Sequence, residues 1–359
     1  MTPRTVVVGA GVSGLSVALA LLRRGHRVTV LERGEIGRES SWAGGGILSP
    51  LLPWHYPEPV SALALRSMKA YADWVAEIET LSGRITEYWQ CGMRVLGASQ
   101  PASALAWCKE HGLTAQPCHT NTDDCLWLPE IAQIRNPRLV KALREAVVRL
   151  GGMIHAHCAA ETTTNRAGRM LAVRTPQREF TADRFVLATG AWAGTALPNM
   201  AGVPNVRPIR GQMLLFKLEP GMLATILFRN GLYLIPRQDG HVLVGSTLED
   251  AGFDKSTDDA TRQRLHSDAT ELLPALAGLQ PMLHWAGLRP GSPDNIPVID
   301  RHPDFDNVFV NTGHYRYGVT MAPAAAELLV DTMEGSPPAL DPAPYRWQAA
   351  LERGWTEAL

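Results

Sequence analysis

Gly9, Gly11 and Gly14 stand in the order Gly-x-Gly-x-x-Gly, and an acid, Glu32, follows 18 residues after the last of them. That spacing suits the two phosphates of a dinucleotide. Gly9 would turn the chain tightly out of a strand, and Gly11 would let the backbone approach a pyrophosphate. Gly14 would let a helix pack close to a sheet. A helix starting here offers unpaired N–H groups and a partial positive charge to the phosphates. Glu32 falls where a carboxylate can bond both hydroxyls of a ribose. It would repel a ribose 2′-phosphate, which disfavours NADP.

The motif needs a strand before it and a helix and strand after it, and the neighbouring residues supply all three. Val6, Val7 and Val8 form an apolar run, an amphipathic helical pattern follows, and Val28, Val30 and Leu31 form a second run ending at Glu32. The rival readings are a buried apolar hairpin and a membrane segment. The stretch from Val6 to Leu22 is only as long as a short membrane span and contains three glycines. No signal-type cleavage pattern follows it.

Residues 34–53 form a glycine-rich connector. Ser40, Ser41, Gly44, Gly45 and Gly46 suit a loop packed against a flat ligand, while Trp42, Ile47 and Leu48 argue against a free surface loop. Residues 60–112 read as helices with a short strand near Met93–Leu96. Asn136–Leu150 reads as a helix, with Pro137 near its start and Gly151 past its end. Strands are expected within 153–164 and 170–175, and in 183–194, where Ala188-Thr-Gly-Ala191 suits a second close approach to the dinucleotide. From about residue 205 the texture becomes that of an antiparallel sheet, in RGQMLLFKL, GLYLIPRQDGHVLVGST and NVFVNTG. Residues 261–276 read as a helix, and Met321–Met333 as a closing helix with Pro323 near its start.

Composition bounds the function classes. Of 359 residues, 45% are hydrophobic and 19% charged, which suits a globular protein of two domains. Net charge is −1 with no basic block, so nothing favours nucleic acid or an anionic membrane as partner. Cys91, Cys108, Cys118, Cys125 and Cys158 form no CxxC pair. A disulfide framework and a zinc site are therefore not expected, and a reducing cytoplasm is the expected compartment. His155 and His157 read as ordinary strand residues, and no metal site is expected.

Several short motifs, in order, resemble the flavin-dependent amine oxidases of the D-amino acid oxidase type. They are Gly9-Ala-Gly-Val-Ser-Gly14, Glu32-Arg33, Gly37-Arg-Glu-Ser-Ser-Trp-Ala-Gly-Gly-Gly-Ile47 and Leu187-Ala-Thr-Gly-Ala-Trp192. Further along come Arg210-Gly-Gln212, Tyr233-Leu-Ile-Pro-Arg237, Gly287-Leu-Arg-Pro-Gly291 and Gly313-His-Tyr-Arg316. The likeness is greatest to the branch that oxidises glycine and supplies thiamine biosynthesis. It implies an α/β fold: a Rossmann-like FAD-binding domain with an inserted antiparallel-sheet substrate domain. The expected division assigns 1–80, 136–205 and 285–359 to the discontinuous FAD-binding domain. Residues 81–135 and 206–284 go to the substrate domain.

The resemblance implies FAD held by Gly9, Gly11, Val12, Ser13, Gly14, Glu32, Arg33, Ser40, Ser41, Gly45, Gly46 and Ile47. Ala160 would contact it through its backbone, and Gly190 and the segment His314, Tyr315, Arg316, Tyr317, Gly318, Val319 and Thr320 would pass beside it. Relatives that attach their flavin covalently use a cysteine in the C-terminal half. All five cysteines here precede residue 159, so non-covalent FAD is expected. A homo-oligomer, a tetramer in the family pattern, is implied as well.

By the same resemblance Arg289 is the carboxylate clamp, because a guanidinium binds a carboxylate through two parallel hydrogen bonds. Tyr233 would add a hydrogen bond, and Arg316 is a second arginine at the substrate and flavin. The bland alternatives are structural ion pairs for the arginines and simple packing for Tyr233. Arg207, Arg210 and Arg237 read as structural. The implied reaction passes a hydride from the substrate α-carbon to flavin N5 and needs no catalytic base. Its imine product gives glyoxylate and ammonia or enters thiazole assembly, and O2 yields hydrogen peroxide. Sarcosine, N-ethylglycine and small D-amino acids are secondary candidates, since one methyl group is discriminated by only about 1–3 kcal/mol.

Tyr317 departs from the asparagine common among glycine-oxidising relatives and would narrow the pocket. Leu248 keeps an apolar position and suits a small one. Three other readings stand beside the leading one. The first is a D-amino acid or sarcosine-type enzyme, oxidase or quinone-linked dehydrogenase. The others are a flavin-binding protein without turnover and an NAD-dependent dehydrogenase.

Overall fold

The computed structural model describes residues 2–98, 101–119 and 124–355. It is a mixed α/β structure built on two large sheets. The first sheet has six strands, with Arg4–Val8 near its middle. On one side of Arg4–Val8 lie Arg27–Leu31 and then Met153–His155, and on the other Arg184–Leu187 and then Val308–Thr312, all parallel. Val298–Arg301 closes the edge antiparallel.

Alternation along the strands decides which face meets which layer. Val7, Val28, Val30 and Val186 face a helical layer. Its members include the helices Val12–Arg23, Asn136–Arg149 and Gly318–Glu334. Val6, Val8, Phe185 and Leu187 face the other way, onto Met170, Val173 and Phe180 of a three-stranded sheet. Each such aliphatic side chain, buried on both faces of the sheet, contributes about 1.5–3 kcal/mol.

The second sheet has eight strands. From one edge inward it pairs Leu283–Gly291, Arg207–Lys217, His241–Gly245 and Leu232–Pro236 antiparallel. Met213, Tyr233, Ile235 and Leu243 face one side, while Leu214, Phe216, Leu234, Val242 and Val244 pack against the other, under helix Asp259–Leu272. One pair is parallel, Ile226–Arg229 with Met93–Leu96, because the chain enters the sheet from a distant segment.

Several expectations are corrected. Residues 308–312 of NVFVNTG belong to the first sheet, beside Arg184–Leu187, not to the antiparallel one. The connector 34–53 is not all loop: Ser40–Ala43 is a short helix and Ile47–Leu48 a short strand paired with Ala132–Gln133. The 153–164 stretch breaks after His155. His157 is in the left-handed region at φ 53° and lies outside the strand. Helix 261–276 starts earlier and stops at Leu272, before Pro274, which cannot supply the next backbone donor. The helix at the C-terminal side begins at Gly318, and a further short helix, Trp347–Glu352, follows it. Cys118 and Cys125, opposite each other on strands Gln116–His119 and Asp124–Leu128, form a disulfide that was not expected. Cross-strand proximity, invisible as a CxxC spacing, brings them together.

Candidate active site

A cavity of about 410 Å³ runs from the first strand–helix turn to the face of the eight-stranded sheet. That volume is in the usual range for a ligand site. At one end Gly9 turns with φ 106°, and a Cβ there would lie 2.3 Å from the Ala188 carbonyl oxygen. A Cβ on Gly14 would lie 1.9 Å from the Gly9 carbonyl oxygen. Both positions therefore require glycine for close approach, and Ala188 is the first residue of the predicted second contact. The Glu32 carboxylate is fixed by the backbone amides of Ala10, at 2.8 Å, and Gly34, at 3.1 Å. Each oxygen keeps a lone pair for a sugar hydroxyl. The Val12 amide donates to Ser41 Oγ at 2.9 Å, tying the glycine-rich connector to the helix N-terminus.

The connector then crosses to the eight-stranded sheet. Trp285 Nε1 donates to the Ala43 carbonyl at 3.0 Å, and Arg237 Nη2 to the Gly45 carbonyl at 2.8 Å. Gly46 passes so near Ile134 that a Cβ would lie 2.0 Å from its carbonyl oxygen. Arg237 is buried, and burial lowers its pKa to about 10, with the Arg135 charge adding to the shift. Its two terminal nitrogens are spent on Gln133 Oε1 and on the carbonyls of Ile134 and Gly45. It is structural, as the sequence suggests. Arg210 and Arg207 are structural too, paired with Glu249 and Asp254 and with Asp250.

At the far end Arg289 extends from strand Leu283–Gly291 across Gly211 of the neighbouring strand. A Cβ on Gly211 would lie 2.1 Å from Arg289 Nη1. Nη1 donates to the carbonyls of Arg210, at 3.3 Å, and Thr247, at 3.1 Å, and Nη2 donates to Ser246 Oγ at 2.5 Å. What remains accessible of the guanidinium faces the cavity. Burial lowers its pKa, the Tyr233 hydroxyl favours its charge, and the Arg316 charge opposes it. Tyr233 stands beside it, its ring 3.4 Å and 3.3 Å from where Cβ atoms on Gly45 and Gly245 would lie.

The segment Gly313–Gly318 forms another wall. Tyr315 takes φ 42°, and its amide donates to the Pro290 carbonyl at 2.9 Å. His314 is buried with Nε2 unpartnered, and burial pushes its pKa down to about 4. The Tyr317 hydroxyl bonds that of Tyr56, and their rings meet edge to face at 5.0 Å. Burial, then the Tyr56 neighbour, holds the Tyr317 phenol well above its ordinary pKa.

Every predicted site residue except Gly14 lines this one cavity, and Gly14 underlies the turn at its end. Leu248 is not among its walls. Sequence reasoning missed Ser246, Tyr56, Asn136 and Asn311. Asn136 and Asn311 line the cavity as buried side chains with both polar atoms unpartnered. A Cβ on Gly44 or Gly46 would lie 2.9 Å or 2.5 Å from the Asn136 amide group. Asn136 reads in sequence only as a helix start. Its polarity at a buried position is the one available signal.

The residues present fit FAD. The glycine turn, the anchored Glu32, the small-residue cradle at 44–46 and the orphaned groups of Asn136, Asn311 and His314 share one cleft. Such orphaned groups are costly unless a ligand or water satisfies them.

Comparisons with known proteins agree with this geometry. Residues 4–332 match the DAO family model, described as FAD dependent oxidoreductase. A glycine oxidase of Pseudomonas aeruginosa is 41% identical, covering 96% of this chain and 98% of that protein. A glycine oxidase of Pseudomonas putida is 40% identical, covering 98% and 100%. The crystal structure of glycine oxidase from Geobacillus kaustophilus superposes with a TM-score of 0.88 at 24% identity, covering 96% of this chain and 99% of that one.

Proposed function

The chain belongs to the DAO family of FAD-dependent oxidoreductases, and we propose that its reaction is the oxidation of glycine and other small amines. It is an FAD-dependent amine oxidoreductase. The glycine preference rests on the resemblance to glycine oxidases and on one observation. Arg289 and Tyr233 converge at one end of the cavity whose other end carries the dinucleotide turn.

Bound FAD would accept a hydride from the substrate α-carbon and return the electrons to O2 as hydrogen peroxide. The protein's part is to hold and orient. Arg289 is held by two carbonyls and a hydroxyl, so its remaining donors enter the cavity pre-aimed. A charge-assisted hydrogen bond of this kind contributes about 1.5–3 kcal/mol. The Tyr233 hydroxyl adds a neutral donor. The amine must be neutral, since its lone pair drives imine formation. His314, held at a pKa of about 4, neither protonates it nor serves as its base near neutral pH. Glu32 and Glu39 belong to the nucleotide end. The imine then hydrolyses to glyoxylate and ammonia. Sarcosine, N-ethylglycine and D-alanine are the expected secondary substrates.

The test is to add glycine to the purified protein without oxygen and record the flavin spectrum. Bleaching, reversed by air with release of peroxide, is the expected result. A flavin that stays oxidised would overturn glycine as substrate while leaving the flavoenzyme assignment untouched.

A further inference from the structure

Three acceptors hold Arg289 from behind, and one acidic residue ties together the segments that carry them. The acceptors are the Arg210 carbonyl, the Thr247 carbonyl and Ser246 Oγ. Glu249 reaches both sides of this set. Its amide donates to the same Arg210 carbonyl at 3.0 Å, and the Arg210 amide donates to the Glu249 carbonyl at 2.8 Å. Glu249 Oε2 accepts from Arg210 Nε at 2.8 Å. Glu249 Oε1 accepts from the Thr247 hydroxyl, and from Gln212 Nε2 at 3.1 Å. Thr247 Oγ1 in turn accepts from the Gln212 amide at 2.9 Å. Gln212 and Thr247 are buried, and Glu249 is half-buried. Glu249 is not among the walls of the cavity.

An arginine side chain has much rotamer freedom to lose, and its guanidinium takes a carboxylate by two parallel bonds only when its plane is fixed. Acceptors on a turn fix that plane only as well as the turn itself is fixed. Residues 246–249 leave the strand His241–Gly245, and the isolated Arg210–Glu249 bridge is where they rejoin the sheet. We propose that Glu249, acting through Thr247, is a positioning residue of the substrate clamp. It holds the 246–249 turn against the strand Arg207–Lys217 and so aims Arg289 into the cavity. The proposal rests on the reading above that Arg289 binds the substrate carboxylate. Arg210 balances the charge of Glu249, so the effect on Arg289 is one of geometry. Burial acts to raise the Glu249 pKa, but hydrogen bonds from Thr247, Arg210 and Gln212 outweigh it and lower the pKa. Both carboxylate oxygens therefore stay available as acceptors.

The test uses methoxyacetate, which carries one carboxylate and no amine and so cannot be oxidised as one. It is titrated into the FAD-loaded enzyme and followed through the visible flavin spectrum. Thr247→Val keeps the shape of the side chain and removes its hydroxyl. It should weaken methoxyacetate by about tenfold, the order of one charge-assisted hydrogen bond, at unchanged flavin content. Thr247→Ser, which keeps the hydroxyl, should bind nearly as the unmodified enzyme does. Glu249→Gln offers one oxygen where the carboxylate offers two, and should weaken the ligand by a factor similar to that of Thr247→Val. The deciding measurement repeats Thr247→Val in the Arg289→Met enzyme. There it should shift the affinity by less than about twofold, because the group to be aimed is gone. The same factor with and without Arg289 would overturn the proposal, since the hydroxyl would then act on the fold at large. Unchanged binding in Thr247→Val would also overturn it, as would a Thr247→Ser enzyme as weak as Thr247→Val. So would loss of flavin from both Thr247→Val and Glu249→Gln. Arg289→Met alone tests the underlying reading. If it weakens methoxyacetate and Thr247→Val and Glu249→Gln do not, only the positioning role fails. If it leaves methoxyacetate unchanged, the clamp reading itself fails.

Discussion

Arg289 illustrates how a residue acquires a role from its neighbours. The sequence singles it out by motif, but its geometry depends on Gly211, Ser246 and Thr247, which no local pattern connects to it. If it clamps a carboxylate, Arg289→Met should raise the glycine KM by roughly 10- to 100-fold, the equivalent of one or two charge-assisted hydrogen bonds. The yellow colour should remain, because the dinucleotide turn is at the far end. Steady-state kinetics on the FAD-loaded variant check this, and an unchanged KM would remove the clamp assignment. His314 makes a second prediction. Burial lowers its pKa from 6.5 to about 4, so the folded state resists a proton that the unfolded chain accepts. The stability this group contributes is complete above pH 6.5. It declines as pH falls from 6.5 toward 4, by up to roughly 3 kcal/mol, and is lost below. His314→Asn should therefore show a smaller drop in Tm between pH 7.5 and 4.5 than the unmodified protein. Equal drops would mean that His314 titrates normally in the fold.

At the scale of elements, two close approaches place the site, and they differ in legibility. The Gly9–Gly14 turn is local: strand, turn, helix and acid lie within one stretch of chain, so their spacing is visible in the sequence. The Gly211 approach is not. It exists only because Arg207–Lys217 pairs with Leu283–Gly291, strands far apart in the chain. The Tyr56–Tyr317 contact and the Cys118–Cys125 bridge escaped for the same reason, since pairing rather than spacing makes them. The sheet position of Val308–Thr312 was missed because an apolar run does not reveal its partner. The two glycines should accordingly fail differently. Gly14→Ala forces a Cβ against the Gly9 carbonyl and should cost FAD retention, measured as bound flavin after gel filtration. Gly211→Ala displaces the Arg289 guanidinium and should raise the glycine KM at full flavin content. If Gly211→Ala loses flavin and Gly14→Ala does not, the two ends of the cavity have been assigned the wrong way round.

At the scale of the whole molecule, the cavity runs between the turn that leaves the six-stranded sheet and the face of the eight-stranded one, and side-chain contacts tie the second sheet and its loops to the connector 34–53. Among them are Arg237 to Gly45, Trp285 to Ala43 and Lys255 to Glu39. The dinucleotide turn belongs to one sheet, and Tyr233 and Arg289 to the other. A cofactor spanning that distance is therefore a structural bridge as well as a reagent. It leaves the hydrophobic clusters of each sheet intact when it departs, so the protein without FAD should stay folded but melt earlier. Free FAD at one hundred times its Kd stabilises by about 2.7 kcal/mol. In a chain of this size that is a Tm difference of roughly 3–4 °C. Thermal melts after FAD removal should show that loss, and added FAD should reverse it. FMN should reverse less than half of it, because it lacks the adenosine that Glu32 and its neighbouring walls would hold. Equal rescue by FMN would mean that the Glu32 end contributes nothing to binding, and that the bridge consists of the flavin half alone.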